Sequence, residues 1–179
     1  GWSSEKDARQ AGETVLAADA QPAAVPQDAD LENAMLAGRI LAHAQGFRLL
    51  QAASDEFGWS LDLARIAEIW RAGCIIRSVL LDDFAAALRS DMPFGHMILA
   101  PRMVDMLAAS IGPLRRVVAQ AALAGVPVPA LSGALSWYDT MRHGRGSTNM
   151  IQAQRDFFGA HGFERLDRDG KHHGKWMRD

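Results

Sequence analysis

Apolar residues recur at alternating steps of four and three along most of this chain, and nowhere over a useful length do they alternate one-in, one-out. The first spacing brings side chains to one face of an α-helix, whereas a half-buried strand needs the second. Leu36, Ile40, His43, Phe47, Leu50, Ser54 and Phe57 form the longest such series, with Gly58 as its expected stop. Ile76, Leu80, Phe84 and Ala87 make another stripe, and Met103, Leu107, Ile111, Leu114, Val118 and Ala121 a third. Leu131, Leu135 and Tyr138 mark a further helix, and one more is expected from about Thr148 to Gly159. The fold class that follows is all-α, a multi-helix globular domain. No repeat of fixed period and no sustained heptad argues for a solenoid or a coiled coil.

Helix ends are set by the punctuating residues. Ser4 with Asp7 three residues on predicts a cap for a first helix over Glu5–Ala17, and Asp30 a cap for the long helix. The stretch Ala18–Asp30, containing Pro22 and Pro26, reads as a loop. Ser60 is the expected cap of a short helix through Trp70, with a bend at Gly73 and a connection around Met92, Pro93 and Gly95. Pro101 suits a first helical turn, Gly112–Pro113 predicts a kink or break, and Val126–Pro129 a stop.

Composition narrows the function classes. The 179 residues, 49% of them apolar and 22% charged, suffice for a sizeable core within one domain over 1–179. A formal net charge of -2 argues against a nucleic-acid partner, which calls for a basic face against phosphates. Yet eight Lys or Arg residues and four of the six histidines lie between Arg142 and Arg178, so that end suits an anion. Cys74 is the single cysteine, which excludes an intrachain disulfide and a multi-thiolate zinc site. No apolar run approaches the roughly 20 residues that cross a bilayer, and Gly1–Arg9 lacks the apolar stretch of a signal peptide, so the expectation is a cytoplasmic protein with no membrane partner. The missing initiator Met leaves processing and truncation both open.

Gly144–Asn149, GRGSTN, meets only half of a dinucleotide fingerprint and follows a helical pattern where a strand is required. His172 and His173, beside Lys171 and Lys175, read as a solvated tail, and no metal is assigned. His43 reads as a core histidine satisfied by hydrogen bonds, and Trp59, Trp70 and Trp137 as core or interface anchors. The sharpest local feature is Asn149–Arg165, where polar and cationic groups interrupt an apolar helix just before a glycine. Arg155 and His161 would point about 120° apart on an uninterrupted helix. A chain turn at Gly159 would let both reach one anion, the Arg with a planar fork and the His with a further donor. The alternative is that Arg155 pairs with a nearby carboxylate, and spacing does not decide between them.

Several of these stretches are familiar in combination. AQGFRLL from Ala44, FGWSLDLARIAEIWRAGCIIRS from Phe57, AGVPVP from Ala124 and LSWYDTMRHGRGSTNMIQAQRDFFGAHGFER from Leu135's helix onward resemble 6-phosphogluconate dehydrogenase, from about Trp2 to Trp176. The resemblance implies the C-terminal helical domain of an oxidoreductase that uses NADP and no metal. Such enzymes oxidise 6-phosphogluconate and decarboxylate the 3-keto intermediate to ribulose 5-phosphate. It also implies that the NADP-binding Rossmann domain and the helix with the Lys base and Glu acid belong to a preceding segment, so no catalytic residue is expected within this chain. By the same resemblance Arg155 and His161 bind substrate in the neighbouring subunit's site of a homodimer, and Arg9 binds the substrate phosphate from its own subunit. Ser147, Thr148 and Phe157 depart from the Pro, Ala and Tyr common in the family. A non-catalytic helical interaction module from a truncated gene is the alternative reading.

Overall fold

The computed structural model describes residues 2–16, 22 and 24–176. Among them are seven α-helices: α1 (Lys6–Val15), α2 (Asp28–Phe57), α3 (Leu63–Gly73), α4 (Leu80–Arg89), α5 (Pro101–Leu123), α6 (Pro129–Met141) and α7 (Thr148–Gly159). A two-residue antiparallel pair, β1 (Phe163–Glu164) and β2 (Lys171–His172), completes the described elements, with Phe163 opposite His172 and Glu164 opposite Lys171. The all-α expectation holds, with this short hairpin as an addition. Contacts divide the chain into two compact units, 1–137 and 138–179.

In the first unit α2 packs along α5 and α3 along α4, with the single turn Met97–Leu99 against α2, α4 and α5. Alanines on the buried face of α2, Ala34, Ala37 and Ala44, lie among Ile40, Leu41 and Phe47. Small residues let the helix axes approach, while the larger ones supply the area removed from water. The facing stripe of α5, Met103, Leu107, Ser110, Leu114 and Val117, keeps the same four-and-three spacing. Phe47 is the centre of an aromatic cluster, its ring centroid 5.4 Å from Trp70 and 6.5 Å from Phe84. His43 is half-buried with its ring 4.9 Å from that of Phe84 and its Nδ1 2.7 Å from the Arg39 carbonyl oxygen, a packed histidine as read from the sequence.

Several helix boundaries differ from the sequence expectation. Glu5, not Ser4, occupies the N-cap of α1 and makes no capping bond. The loop expected over Ala18–Asp30 falls partly outside the described residues, and α2 begins at Asp28 after Gln27. Asp30 therefore lies inside the first turn. Its carboxylate takes the Arg116 fork instead, at 3.0 and 2.6 Å, which ties α2 to α5 and lowers the Asp30 pKa through that hydrogen bond. Gly58 does end α2 in a left-handed conformation. Ser60 is not a cap: its φ is 52°, and Asp62 caps α3 by accepting from the Arg65 N–H at 2.9 Å. The reason is the turn before it, where the buried Ser54 hydroxyl accepts the Leu61 N–H at 2.9 Å and leaves Asp62 at the helix mouth.

Of the kink or break expected at Gly112–Pro113, the break does not occur, and α5 runs through Pro113 as one helix. A proline there costs roughly 3 kcal/mol through a lost N–H and a steric clash. Leu107 and Ser110 before it and Leu114 and Val117 after it are all buried, so core packing on both sides outweighs that loss.

Because Phe47 is fully enclosed by Trp70 and Phe84, Phe47→Ala should destabilise the first unit by about 3–5 kcal/mol, with Leu at this position recovering part of it. Denaturant unfolding followed by circular dichroism measures the change.

Candidate functional site

The second unit has almost no apolar interior. Among its described residues only Asp156 and Gly162 are buried, and both belong to the segment that the sequence marked as unusual. The chain leaves α7 through Ala160, which is left-handed at φ 51°, and turns again at Gly162, φ 77°. It then runs out along β1, through a turn in which the Arg165 fork holds Asp167 at 2.6 and 2.7 Å, and back along β2.

One carboxylate joins these pieces. Asp156 Oδ1 accepts from the Gly162 N–H at 2.7 Å and from the His173 ring Nδ1 at 2.7 Å. Oδ2 accepts from the Gly174 N–H at 2.8 Å and from the Trp176 indole N–H at 2.6 Å. Burial on its own pushes the carboxyl pKa up. The Gly174 N–H, the Trp176 and His173 side chains and the Gly162 N–H more than offset that, and hold Asp156 well below the usual carboxylate range. Both glycines are needed for close approach: a Cβ on Gly162 would run into the Lys171 side chain, and one on Gly174 into the Trp176 ring. Trp176 in turn meets Phe157 and Phe163 edge-on, with centroids 6.2 and 6.4 Å away.

His172 and His173 are consequently not a solvated tail. His172 lies in β2 with Nε2 3.0 Å from the Asp169 carbonyl oxygen, and His173 is committed to Asp156. Neither assignment was legible from two adjacent histidines among lysines.

Of the residues singled out from sequence, Arg9 lies on the exposed surface of α1 in the first unit, and Arg155 and His161 lie in the second. Arg155 is exposed on α7 and forms no ion pair with a carboxylate among the described residues. His161 is also exposed, but its ring rests against the helix end: a Cβ on Gly159 would stand 2.9 Å from Nε2 and 3.0 Å from Cδ2. His161 lines an open groove of about 1170 Å³ in which the cationic Arg145, Arg165, Arg168 and Lys171 outnumber the acidic Glu164 and Asp169, a balance that favours an anion; Arg155 is not among the lining residues. Gly144–Asn149 runs from the connection after α6 into the first turn of α7, with helix on either side, so it is no strand-to-helix phosphate loop.

A family model described as 6-phosphogluconate dehydrogenase, C-terminal domain, matches residues 1–176. The decarboxylating 6-phosphogluconate dehydrogenase of Escherichia coli K12 is 40% identical over 178 residues, 98% of this chain and 38% of the relative. The NAD(+)-dependent decarboxylating enzyme of Bacillus subtilis is 40% identical over 178 residues, 97% of this chain and again 38% of the relative. A solved structure of Plasmodium falciparum 6-phosphogluconate dehydrogenase, studied apo, with its cofactor NADP+ and with its substrate 6-phosphogluconate, superposes with a TM-score of 0.83 at 32% identity. It covers 96% of this chain and 38% of its own. The chain thus spans less than two fifths of the length of the relatives it matches.

The Asp156 junction has a defined acid limit. Its pKa is depressed in the folded state, so its contribution is complete above the unfolded carboxylate value of about 3.9 and is lost as pH falls towards the lower folded value. In an NMR titration the hydrogen-bonded Trp176 indole proton should keep its position from neutral pH to about pH 4 and shift only below it. A midpoint near the ordinary carboxylate value would contradict this assignment.

Proposed function

The chain belongs to the 6-phosphogluconate dehydrogenase family and is its C-terminal, all-helical domain; from that premise we propose that residues 1–179 act as one domain of an NADP-dependent, decarboxylating 6-phosphogluconate dehydrogenase. In this reading the preceding part of the enzyme holds the dinucleotide and supplies the acid and base, and the present chain supplies substrate contacts and a dimer surface. The enzyme works in the cytoplasm, without a metal. Among the described residues no helix is long and apolar enough to cross a membrane.

The observation that carries the reading is Arg155: an exposed guanidinium that pairs with no carboxylate among the described residues, followed directly in sequence by the buried anchor of its unit. 6-Phosphogluconate has a phosphate and a carboxylate, and the planar Arg fork can meet either with two parallel hydrogen bonds. His161 adds a donor, and Arg9 binds the phosphate from the first unit of its own subunit. Arg155 and His161 serve the active site of the neighbouring subunit. Exposed apolar groups on α7 support such an intersubunit role, since Met150, Ile151, Phe157 and Phe158 all face solvent here. Apolar surface of this extent is ordinarily covered by a partner. The chain should therefore self-associate in sedimentation runs at increasing concentration, and an invariant monomer would count against the dimer.

The test of the site uses the full-length Escherichia coli relative carrying this domain in place of its own. Arg155→Ala removes a charge-assisted partner, so substrate KM should rise roughly tenfold to a hundredfold, corresponding to about 1.5–3 kcal/mol, with little change in the KM for NADP. Lys at this position should restore only part of the affinity, because it keeps the charge and loses the fork. Mixing an Arg155→Ala enzyme with one lacking the catalytic Lys should regenerate activity, towards half per mixed dimer. If subunits demonstrably exchange and no activity returns, Arg155 does not act across the interface.

A further inference from the structure

His161 is held from both sides by one residue. The N–H of Ala160, immediately before it, donates to the Asp156 backbone carbonyl at 2.8 Å, and the N–H of Gly162, immediately after it, donates to Asp156 Oδ1 at 2.7 Å. Gln152, one turn earlier on α7, reaches the Gly162 carbonyl from its Nε2 at 2.5 Å. The peptide units flanking His161 are therefore fixed to α7 at three points, although the imidazole itself is exposed. The ring then lies over Gly159, where the absence of a Cβ leaves its space open. Arg155 is the neighbour of Asp156 on the same helix, so the orientation of α7 at this turn and the direction of the chain leaving it share one anchor.

We propose that Asp156 and Gly159 are positioning residues for anion binding: Asp156 fixes the backbone that carries His161, and Gly159 sets where the imidazole stands. Neither touches substrate in this scheme. The inference rests on the reading of His161 as a substrate ligand, but the placement of its ring is testable without it. Holding an exposed donor in one orientation removes ordering cost from the binding step, so a site so built binds more tightly than the same residues on a loose turn.

Gly159→Ala separates position from stability. Gly159 closes α7, and Ala is the better helix former, so the variant should be no less stable than the parent. Its Cβ would lie 2.9 Å from His161 Nε2, and the ring must move. Asp156→Asn keeps the size and one acceptor oxygen but removes the charge that four donors share. By NMR of the 179-residue chain, the parent should show contacts between the His161 ring and the Gly159 α-protons. In Gly159→Ala the ring should leave the helix end, and in Asp156→Asn those contacts should weaken together with the hydrogen-bonded Gly162 amide signal. A His161 ring that keeps its place over the helix end in Asp156→Asn overturns the positioning role of Asp156, whatever the substrate.

In the full-length chimera described above, Gly159→Ala should raise the KM for 6-phosphogluconate by roughly three- to tenfold, on the scale of one weakened hydrogen bond. The KM for NADP and the melting temperature should be unchanged. His161→Ala is the reference. If it raises KM and Gly159→Ala does not, the positioning inference fails and the functional reading stands. If His161→Ala leaves KM unchanged, the reading of His161 as a ligand fails first, and the ring positions seen by NMR still decide the inference.

Discussion

A buried carboxylate with four donors takes the place of a hydrophobic core in residues 138–179. Asp156 sits in the last turn of α7, and its partners lie six to twenty residues further on, at Gly162, His173, Gly174 and Trp176. Such a small unit cannot bury much apolar area, so one multiply bonded charge closes the loop that area alone would not. The arrangement is costly if incomplete, because a buried carboxylate missing its donors retains its full desolvation penalty. That all-or-none character explains why the two flanking glycines and the Trp176 ring fit so closely around it: each gives an N–H or a ring edge the room to reach the same two oxygens.

The first unit rests on a different balance. There α2 and α5 meet through alanines and medium-sized aliphatic residues, and Phe47 fills the space between Trp70 and Phe84. The polar contacts that matter sit at the edges, as with Arg116 on Asp30, or end a helix, as with Ser54 receiving the Leu61 N–H. Packing is strong enough to carry α5 through Pro113, where local preference alone would stop it.

These two balances explain what could be read from the sequence. The helices over 28–57, 129–141 and 148–159 follow from spacing because an amphipathic stripe is a local signal, repeated every three or four residues. Caps were less legible: Asp30, Ser4 and Ser60 have the right chemistry for helix starts, but Asp30 is taken by Arg116 and Ser60 by a left-handed turn, and both causes lie elsewhere in the chain. Asp156 escaped notice for the same reason. An Asp between Arg155 and Phe157 reads as one more polar residue on a helix, and nothing nearby announces that His173, Gly174 and Trp176 return to it. The one available signal was the pair of glycines, Gly162 and Gly174, around a histidine-rich segment, and it has meaning only once the hairpin is seen. Arg155 and His161 stand out because polar and cationic groups interrupt an apolar background, a contrast visible without any tertiary information.

The position of Asp156 also resolves a tension in the site residues themselves. In the proposed role, a side chain that reaches a ligand in another subunit has to be exposed, and exposed Arg and His side chains on a small unit with little apolar interior would ordinarily lose much of their binding free energy to disorder. Exposure and order are reconciled here by fixing the backbone rather than the side chain. Ala160 and Gly162 are locked to one residue on either side of His161, and Arg155 projects from the helical turn that the same residue anchors. Among the described residues neither side-chain tip pairs with a carboxylate, while the backbone on either side of His161 is set by a few short hydrogen bonds. A hydrophobic anchor of equal strength would have needed bulk near the open groove that His161, Arg145, Arg168 and Lys171 line with Glu164 and Asp169. A carboxylate closes the turn with the least volume, and that is the physical reason a buried charge serves this place better than another Leu or Phe.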